Sequence, residues 1–168
     1  MKILSLLVTN CLLFLLLVSV PGCDSDSKHA VAKADVYNEN ADAEAEIASA
    51  IAKAGIENKR VLLVFGANWC PWCHRLHELF TKHPDVKRAL SDNYIIVLVD
   101  LGRRDKNMDI DVRYGSPSKS GIPALVVLDS DGAQIHTQET GSLEYTDKEK
   151  KGHDPQIVLQ FLNQWKIS

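Results

Sequence analysis

Two cysteines separated by two residues stand near the middle of the chain, in the sequence WCPWCH at positions 69–74. Cysteines at this spacing can form a reversible disulfide or supply half of a metal site. With a histidine directly after them, as here, they can also attach a haem. These three interpretations predict three different classes of protein, and the surrounding sequence distinguishes them.

The haem and zinc interpretations both meet an obstacle. Domains with covalently attached haem are mainly helical, whereas this chain contains several β-type runs. Met108 or a distant histidine would also have to supply the second axial ligand of the haem iron. A zinc site would use Cys70, Cys73, His74 and His77. Four ligands within eight residues would be strained around one tetrahedral ion, because closed sites have well-separated ligand pairs. Both interpretations stay open as alternatives.

The redox interpretation explains more of the sequence. The CxxC follows a predicted strand and opens a predicted helix, which places Cys70 at the helix N-terminus. Unpaired backbone N–H groups and the positive end of the helix dipole stabilise a thiolate there. Cys73 lies one turn further on the same side, at a separation that suits a disulfide. We expect Cys70 to be the exposed nucleophile and Cys73 the more buried resolving thiol.

The N-terminus has the features of an export signal. Lys2 precedes an apolar run from Ile3 to Val20, and the run ends just before Cys23. This ending resembles a bacterial lipobox, which implies that residues 1–22 are a signal peptide and that Cys23 receives lipid. Asp24 resembles the signal that retains lipoproteins at the inner membrane, so we expect a lipid anchor on the periplasmic side. An uncleaved membrane anchor and a free secreted protein are the alternatives.

Export limits what the remaining cysteines do. Cys11 leaves with the signal and Cys23 is acylated, so Cys70 and Cys73 are the thiols of the mature chain. One pair is too little for a disulfide-stapled scaffold, and so short a loop gives little chain-entropy stabilisation, which disfavours a purely structural disulfide. The pair is therefore expected to react.

The rest of the chain divides into a tether and one domain. Residues 23–40 are polar with little apolar periodicity, which indicates a flexible tether. Residues 41–168 have the length of one domain with its own core, which we expect to be a monomer. The formal net charge is −3, and no basic stripe is interleaved with aromatic residues, so nucleic acid is excluded as a partner.

Apolar patterns predict an α/β domain with the order α-β-α-β-α-β-β-α. An amphipathic helix is expected to end with Gly55 as its C′ residue, and Pro84 interrupts the helix after the CxxC. Three runs without alternation predict buried strands, and Asp131-Gly132 turns the last one into a hairpin. A closing helix has Asp154 as its N-cap. A short helix is predicted in residues 102–120, with its apolar positions at Ile110, Val112 and Tyr114.

Together, ANWCPWC after a strand, a second strand ending in Asp100, and the later sequence GIPALVVLDSDG resemble the thioredoxin superfamily. More narrowly they are similar to exported thioredoxin-like proteins of bacteria, over residues 61–165. The resemblance implies a central mixed β-sheet flanked by helices and a thiol–disulfide oxidoreductase without a cofactor. It also implies that Pro123 is cis, that Ile122 faces the disulfide, and that their backbone pairs with the substrate chain. The implied partners are protein thiols or disulfides, with a membrane electron donor as a further candidate.

Two departures from the family pattern concern proton transfer. Thioredoxins usually have a buried aspartate six residues before the first cysteine, where this chain has Val64. The lysine that accompanies this acid in the second strand is also missing. Another group must therefore deprotonate Cys73, or that step is slower. His74 and His77 are candidates, although for each of them the favoured interpretation is a surface histidine on the solvent side of the helix.

Tryptophans on both sides of the first cysteine are candidate substrate-binding residues. We expect Trp69 and Trp72 to lie beside the reactive sulfur, with Trp72 either on a docking surface or half-buried against the loop after Asp100. The polar segments 102–120 and 141–153 are expected near the same face and are candidates for partner selection.

An alternative of another class is a non-catalytic binding module, or a metal-binding protein that uses Cys70, Cys73 and His77. The residues between the cysteines do not set the direction of the redox reaction, so reduction, oxidation and isomerisation all stay open.

Overall fold

A computed structural model describes residues 35–147 and 149–167. The predicted signal peptide, the predicted lipid acceptor Cys23 and the predicted tether up to residue 34 lie outside this range. Within it, no helix combines the length and the apolar character needed to cross a bilayer.

Helices and strands of the described residues follow the predicted order, with the helix after the CxxC divided in two. Short 3-10 turns occupy residues 117–120 and 141–143. The elements are α1 (Ala43–Glu57), β1 (Arg60–Gly66), α2 (Pro71–Lys82), α3 (Pro84–Asn93), β2 (Tyr94–Asp100), α4 (Met108–Arg113), β3 (Ala124–Leu128), β4 (Gln134–Glu139) and α5 (Pro155–Trp165).

The four strands form one mixed sheet in the order β2-β1-β3-β4. Strand β1 is parallel to β2 and antiparallel to β3, and β3 and β4 form the predicted hairpin. This arrangement confirms the thioredoxin-like fold class. The expectation that β2 is buried like β1 is wrong in part. No strand of the described residues pairs with its outer edge, and the side chain of Ile96 is 39% exposed.

The sheet has a separate apolar core on each face. Successive residues of β1 point to opposite faces, so Phe65 packs with α1 and α4, whereas Val64 packs with α2, α3 and α5. Burying one such side chain completely contributes about 1.5–3 kcal/mol. Both cores therefore fix β1, and with it the point from which the CxxC begins.

Two details of the predicted helices differ from the structure. Helix α1 continues beyond Gly55 to Glu57 and has Asn58 as its C-cap, whose φ of 53° is left-handed and whose N–H donates to the carbonyl of Ala54. Asparagine tolerates this conformation better than most residues, so it takes the role predicted for the glycine. In α4, Ile110 is buried but Val112 is 66% exposed, because residues two apart do not share a helix face.

Candidate active site

The two cysteines lie where β1 passes into α2. Cys70 is the N-cap of α2, and its Sγ accepts a hydrogen bond from the N–H of Cys73 at 3.1 Å. The cysteines form a disulfide with their Cα atoms 5.3 Å apart. Pro71 occupies the first helical position, where a missing N–H costs no helix hydrogen bond. The local geometry is therefore the strand-to-helix junction expected of a redox pair.

Both cysteines are buried in this oxidised form. Cys70 is 3% exposed and Cys73 is 2% exposed, so the expectation of an exposed Cys70 is wrong here. The cover consists of Tyr37, which is itself buried, with Trp72 and Ile122 packed against the same cluster. Any partner of the disulfide has to displace part of this cover.

The loop before β3 faces the disulfide. The Ile122–Pro123 peptide bond is cis, as the resemblance implied. The carbonyl oxygen of Ile122 lies 3.5 Å from the Sγ of Cys70. The carbonyl of Pro123 accepts a hydrogen bond of 2.6 Å from the hydroxyl of Thr140. These contacts place a fixed stretch of backbone beside the sulfur.

The two tryptophans of the motif have different surroundings. Trp69 is 49% exposed, and its Nε1 donates to the carbonyl of Gly102 at 2.6 Å. Trp72 is half-buried. Its ring lies nearly perpendicular to that of His153, with centroids 5.7 Å apart, and the guanidinium of Arg75 lies over it, 4.9 Å from the Trp72 ring centroid. The loop after Asp100 therefore contacts Trp69, and the later segment 141–153 covers Trp72.

Of the two histidines on α2, one is not a surface residue. His74 is 7% exposed and its Nε2 lies 2.6 Å from the carbonyl oxygen of Asn68, so the solvent-facing prediction is wrong for it. His77 is partly buried, and this desolvation, followed by the nearby His74, lowers the pKa of its imidazole. Among the described side chains, no three from His, Cys, Asp and Glu lie close enough together to hold a metal.

Val36 and Tyr37, near the end of the predicted tether, pack against the redox pair. The amide oxygen of Asn68 accepts hydrogen bonds from the N–H groups of Val36 at 2.9 Å and Tyr37 at 2.8 Å. Its Nδ2 donates to the carbonyl of Tyr37 at 2.9 Å. Sequence reasoning missed this contact. The available signal was that Tyr37 is the one aromatic residue in the polar sequence between Cys23 and α1.

Gly66 leaves the space in which Tyr37 meets the cysteines. A Cβ at this position would overlap the hydroxyl oxygen of Tyr37 and lie 2.8 Å from the Sγ of Cys73. The hydroxyl and the sulfur are therefore neighbours across the missing side chain. Only a glycine gives both groups room at this point of β1.

A buried carboxylate lies on the next strand. Asp100 pairs with Gly66 in the register of β1 and β2 and is 4% exposed. Its Oδ1 accepts the N–H of Gly102, whereas its Oδ2 has no hydrogen-bond partner among the described residues. The Nζ of Lys106 lies 3.6 Å from this Oδ2. Burial, and secondarily the charge of Asp100, raise the pKa of the Tyr37 hydroxyl above its usual range.

His153 is expected to make the stability of this site depend on pH. Its ring is 3% exposed, and burial, followed by the charge of Arg75, lowers its pKa to about 4. The unfolded chain then binds a proton that the folded chain does not, so stability falls as the pH drops from about 7 to about 4. The loss attributable to His153 is about 3 kcal/mol, at 1.36 kcal/mol per pKa unit. Denaturant unfolding across this pH range should show a smaller decline in His153→Leu, and equal declines would contradict the assignment.

Comparison with known proteins places this geometry in a family. A family model for thioredoxin-like proteins matches residues 42–130. The solved structure of a disulphide isomerase from Xylella fastidiosa Temecula1 has a TM-score of 0.67 at 31% identity, covering 77% of this chain and 95% of that one. The chain shares its fold with a thioredoxin from Thermus thermophilus, with a TM-score of 0.52 at 21% identity. This match covers 70% of this chain and 81% of that one.

Curated relatives match over shorter stretches. The disulfide bond reductase DsbH of Chlamydia pneumoniae is 26% identical over 97 residues, which is 52% of this chain and 57% of that protein. Spermatogenesis-associated protein 20 of Mus musculus is 37% identical over 62 residues, which is 37% of this chain and 8% of that protein. The chain thus spans less than two thirds of the length of these two relatives. The family model covers more than half of the chain, and the Xylella fastidiosa structure matches it over most of its length; the chain belongs to the thioredoxin-like family.

Proposed function

We propose that this chain is a thiol–disulfide oxidoreductase that acts on protein thiols or disulfides. The observation that carries the proposal is the Cys70–Cys73 disulfide at the N-terminus of α2, with the Sγ of Cys70 3.5 Å from the carbonyl of Ile122 beside the cis-proline. The similarity to a disulphide isomerase and to a disulfide bond reductase supports the same chemistry.

The proposed reaction has two exchanges. In the direction of reduction, the thiolate of Cys70 attacks a substrate disulfide, forms a mixed disulfide and releases one substrate thiolate. The thiolate of Cys73 then attacks the Sγ of Cys70, which forms the internal disulfide and releases the second substrate thiolate. Two electrons pass from the protein to the substrate. Oxidation of a substrate dithiol is the same sequence in reverse.

Backbone beside the disulfide supplies the docking position in this proposal. An extended substrate segment would pair with the chain at Ile122 and Pro123, as an added strand does at a sheet edge. The half-buried Trp72 packs in the same cluster as Ile122, and the exposed Trp69 directly precedes Cys70, so both offer apolar contact area near the disulfide. We therefore propose all four as substrate-binding residues.

Insulin reduction tests the proposed activity. Wild-type protein with dithiothreitol should precipitate insulin chains much faster than dithiothreitol alone, because the CxxC couple is recycled by the small thiol. Cys70→Ser should fall to the background rate. Wild-type protein no faster than that background would overturn the proposal, and metal analysis of the same sample would test the metal-binding alternative.

We further propose that the chain is exported and anchored by lipid at Cys23 on the periplasmic side of a bacterial membrane. The support is the sequence of residues 1–24. A fatty-acid analogue should label wild-type protein and Cys11→Ala, which retain the acceptor, but not Cys23→Ala. Equal labelling of Cys23→Ala would contradict lipidation. Recovery in the outer-membrane fraction would contradict only the role of Asp24 in inner-membrane retention.

A further inference from the structure

We propose that the Tyr37 hydroxyl, backed by the Asp100 carboxylate, accepts and passes on the proton of the Cys73 thiol during resolution, in place of the acid that is absent at Val64. This inference rests on the proposed function, because it concerns the second of its two exchanges. It makes Tyr37 a catalytic residue and Asp100 a residue that acts through it.

Two polar groups meet in the space left by Gly66, and a third belongs to the residue paired with Gly66 on the adjacent strand. A Cβ there would overlap the Tyr37 hydroxyl and lie 2.8 Å from the Sγ of Cys73. Asp100 is the neighbour of Gly66 on the adjacent strand, and paired residues of adjacent strands point to the same face of a sheet. The carboxylate therefore lies on the face where the hydroxyl and the sulfur meet.

The Asp100 carboxylate is buried and incompletely paired, as expected of a group that accepts a proton during the reaction. Burying a charge is costly unless the charge is fully paired, yet the Oδ2 of the 4% exposed Asp100 accepts no hydrogen bond from the described residues. Lys106 is its cationic neighbour, at 3.6 Å, and the same ammonium donates to the carbonyl of Glu39 at 2.9 Å. An acid and a lysine are thus assembled from the end of β2 and the loop after it.

Other titratable groups lie around Cys73. On α2, the Nε2 of His74 is occupied by the carbonyl oxygen of Asn68, and its buried Nδ1 has no hydrogen-bond partner among the described residues. The space at Gly66 places the Tyr37 hydroxyl, and not this ring, beside the Sγ of Cys73, and Cys70 is the other partner in the exchange. The remaining charged groups nearby are Lys106, which pairs with Asp100, and Glu39, which is exposed and bonds to Asn68. The raised pKa of Tyr37 keeps its phenol protonated at neutral pH, so it can donate to a thiolate while its proton is replaced from the thiol.

In the proposed step, Cys73 is deprotonated first and its thiolate then attacks the mixed disulfide. Cys73 loses its thiol proton to the Tyr37 oxygen as the hydroxyl proton moves toward Asp100, and the resulting thiolate attacks the Sγ of Cys70. The Cys70–substrate bond breaks, the Cys70–Cys73 bond forms, and the substrate sulfur leaves as a thiolate. That thiolate is protonated from Asp100 or from water, so no other oxidant or reductant is needed.

Dithionitrobenzoate separates the two exchanges in one measurement. Mixed with reduced full-length protein that carries Cys11→Ala and Cys23→Ala, so that Cys70 and Cys73 are its only cysteines, it releases one coloured thionitrobenzoate when Cys70 attacks and a second when Cys73 resolves the mixed disulfide. Stopped-flow absorbance from pH 5 to 9 gives the rate of each phase. The matched control is Tyr94→Phe. Tyr94 is also buried, but its hydroxyl donates to the carbonyl of Leu162 in α5, and it does not belong to the cluster that covers the cysteines.

Tyr37→Phe should slow the second phase about tenfold relative to the first and move its pH midpoint upward by about one unit, because a hydrogen bond to a charged group contributes at least that factor. Asp100→Asn should also slow the second phase. A purely electrostatic carboxylate would do the opposite, since removing a negative charge favours the thiolate. The double variant should be no slower than the slower single variant, because both act in one step.

Several outcomes would overturn the inference. The inference fails if the second phase of Tyr37→Phe has the wild-type rate at every pH. It also fails if Tyr94→Phe slows this phase as much as Tyr37→Phe does, or if Asp100→Asn makes it faster. Circular dichroism of each variant shows whether it is folded, and Asp100→Asn provides the test if Tyr37→Phe is not. A missing second phase in wild-type protein would instead overturn the proposed function, because Cys73 would not resolve.

Discussion

A Cys73→Ala protein, expressed in the exported compartment, is expected to collect its partners in covalent complexes. Cys70 can still attack a substrate disulfide, but no internal thiol remains to release the mixed disulfide. The 5.3 Å separation of the two Cα atoms makes Cys73 the one thiol of the described residues that reaches Cys70 without backbone movement. Gels run without reductant should show high-mass bands that reductant removes.

Cys70→Ala is the matched control and should collect no complexes. If Cys73→Ala forms no more complexes than this control, the non-catalytic binding module becomes the better interpretation. The trapped proteins also give the direction of the reaction. Folding intermediates would indicate oxidation or isomerisation, whereas a membrane electron donor or one dedicated apoprotein would indicate reduction.

Gly66→Ala is expected to lower the free energy of unfolding by about 1–3 kcal/mol, the usual cost of overpacking a core. The added methyl would overlap the Tyr37 hydroxyl and press on the Sγ of Cys73, so Tyr37 must leave its place over the disulfide. Denaturant unfolding measures the loss. Faster reaction of the oxidised pair with dithiothreitol would report the removed cover.

Gly55→Ala is the matched control for this substitution. Gly55 lies inside α1, and the nearest atom to an added Cβ is the carbonyl oxygen of Ser130 at an ordinary 3.6 Å. This control should stabilise the protein by about 0.5–1 kcal/mol, as alanine does in helices. In a Tyr37→Ala background, Gly66→Ala should cost much less than in wild type. An unchanged cost would show that Tyr37 is not the group displaced.

The elements that build the fold could be predicted because each has a local cause. Uninterrupted apolar runs identified the strands, Pro84 marked the division between α2 and α3, and Asp154 marked the start of α5. The junction at Cys70 followed from the same patterns. The cis bond before Pro123 came from the family resemblance, since periodicity does not report it.

What the sequence did not predict depends on contacts between distant residues. Tyr37 lies in a polar segment without periodicity, and its position is set by hydrogen bonds to Asn68, which is 31 residues away. The sequence identified Asp100 only as the end of a strand. Its position beside Gly66 could not be predicted, because the two residues are neighbours through strand pairing and not along the chain. The exposure of β2 was missed for a related reason, since an edge strand and a central strand can have the same composition.

The cover over the disulfide has a kinetic consequence. With Cys70 and Cys73 at 3% and 2% exposure, a dissolved thiol has little access to either sulfur, whatever its reduction potential. A protein partner that binds along Ile122 gains binding energy while it opens the cover, so it meets a lower barrier. We expect small thiols to reduce the oxidised couple more slowly than a protein that docks along Ile122 does. Excess dithiothreitol, as in the insulin assay, still recycles the couple, but at low thiol concentration its redox state would mainly report the last protein partner.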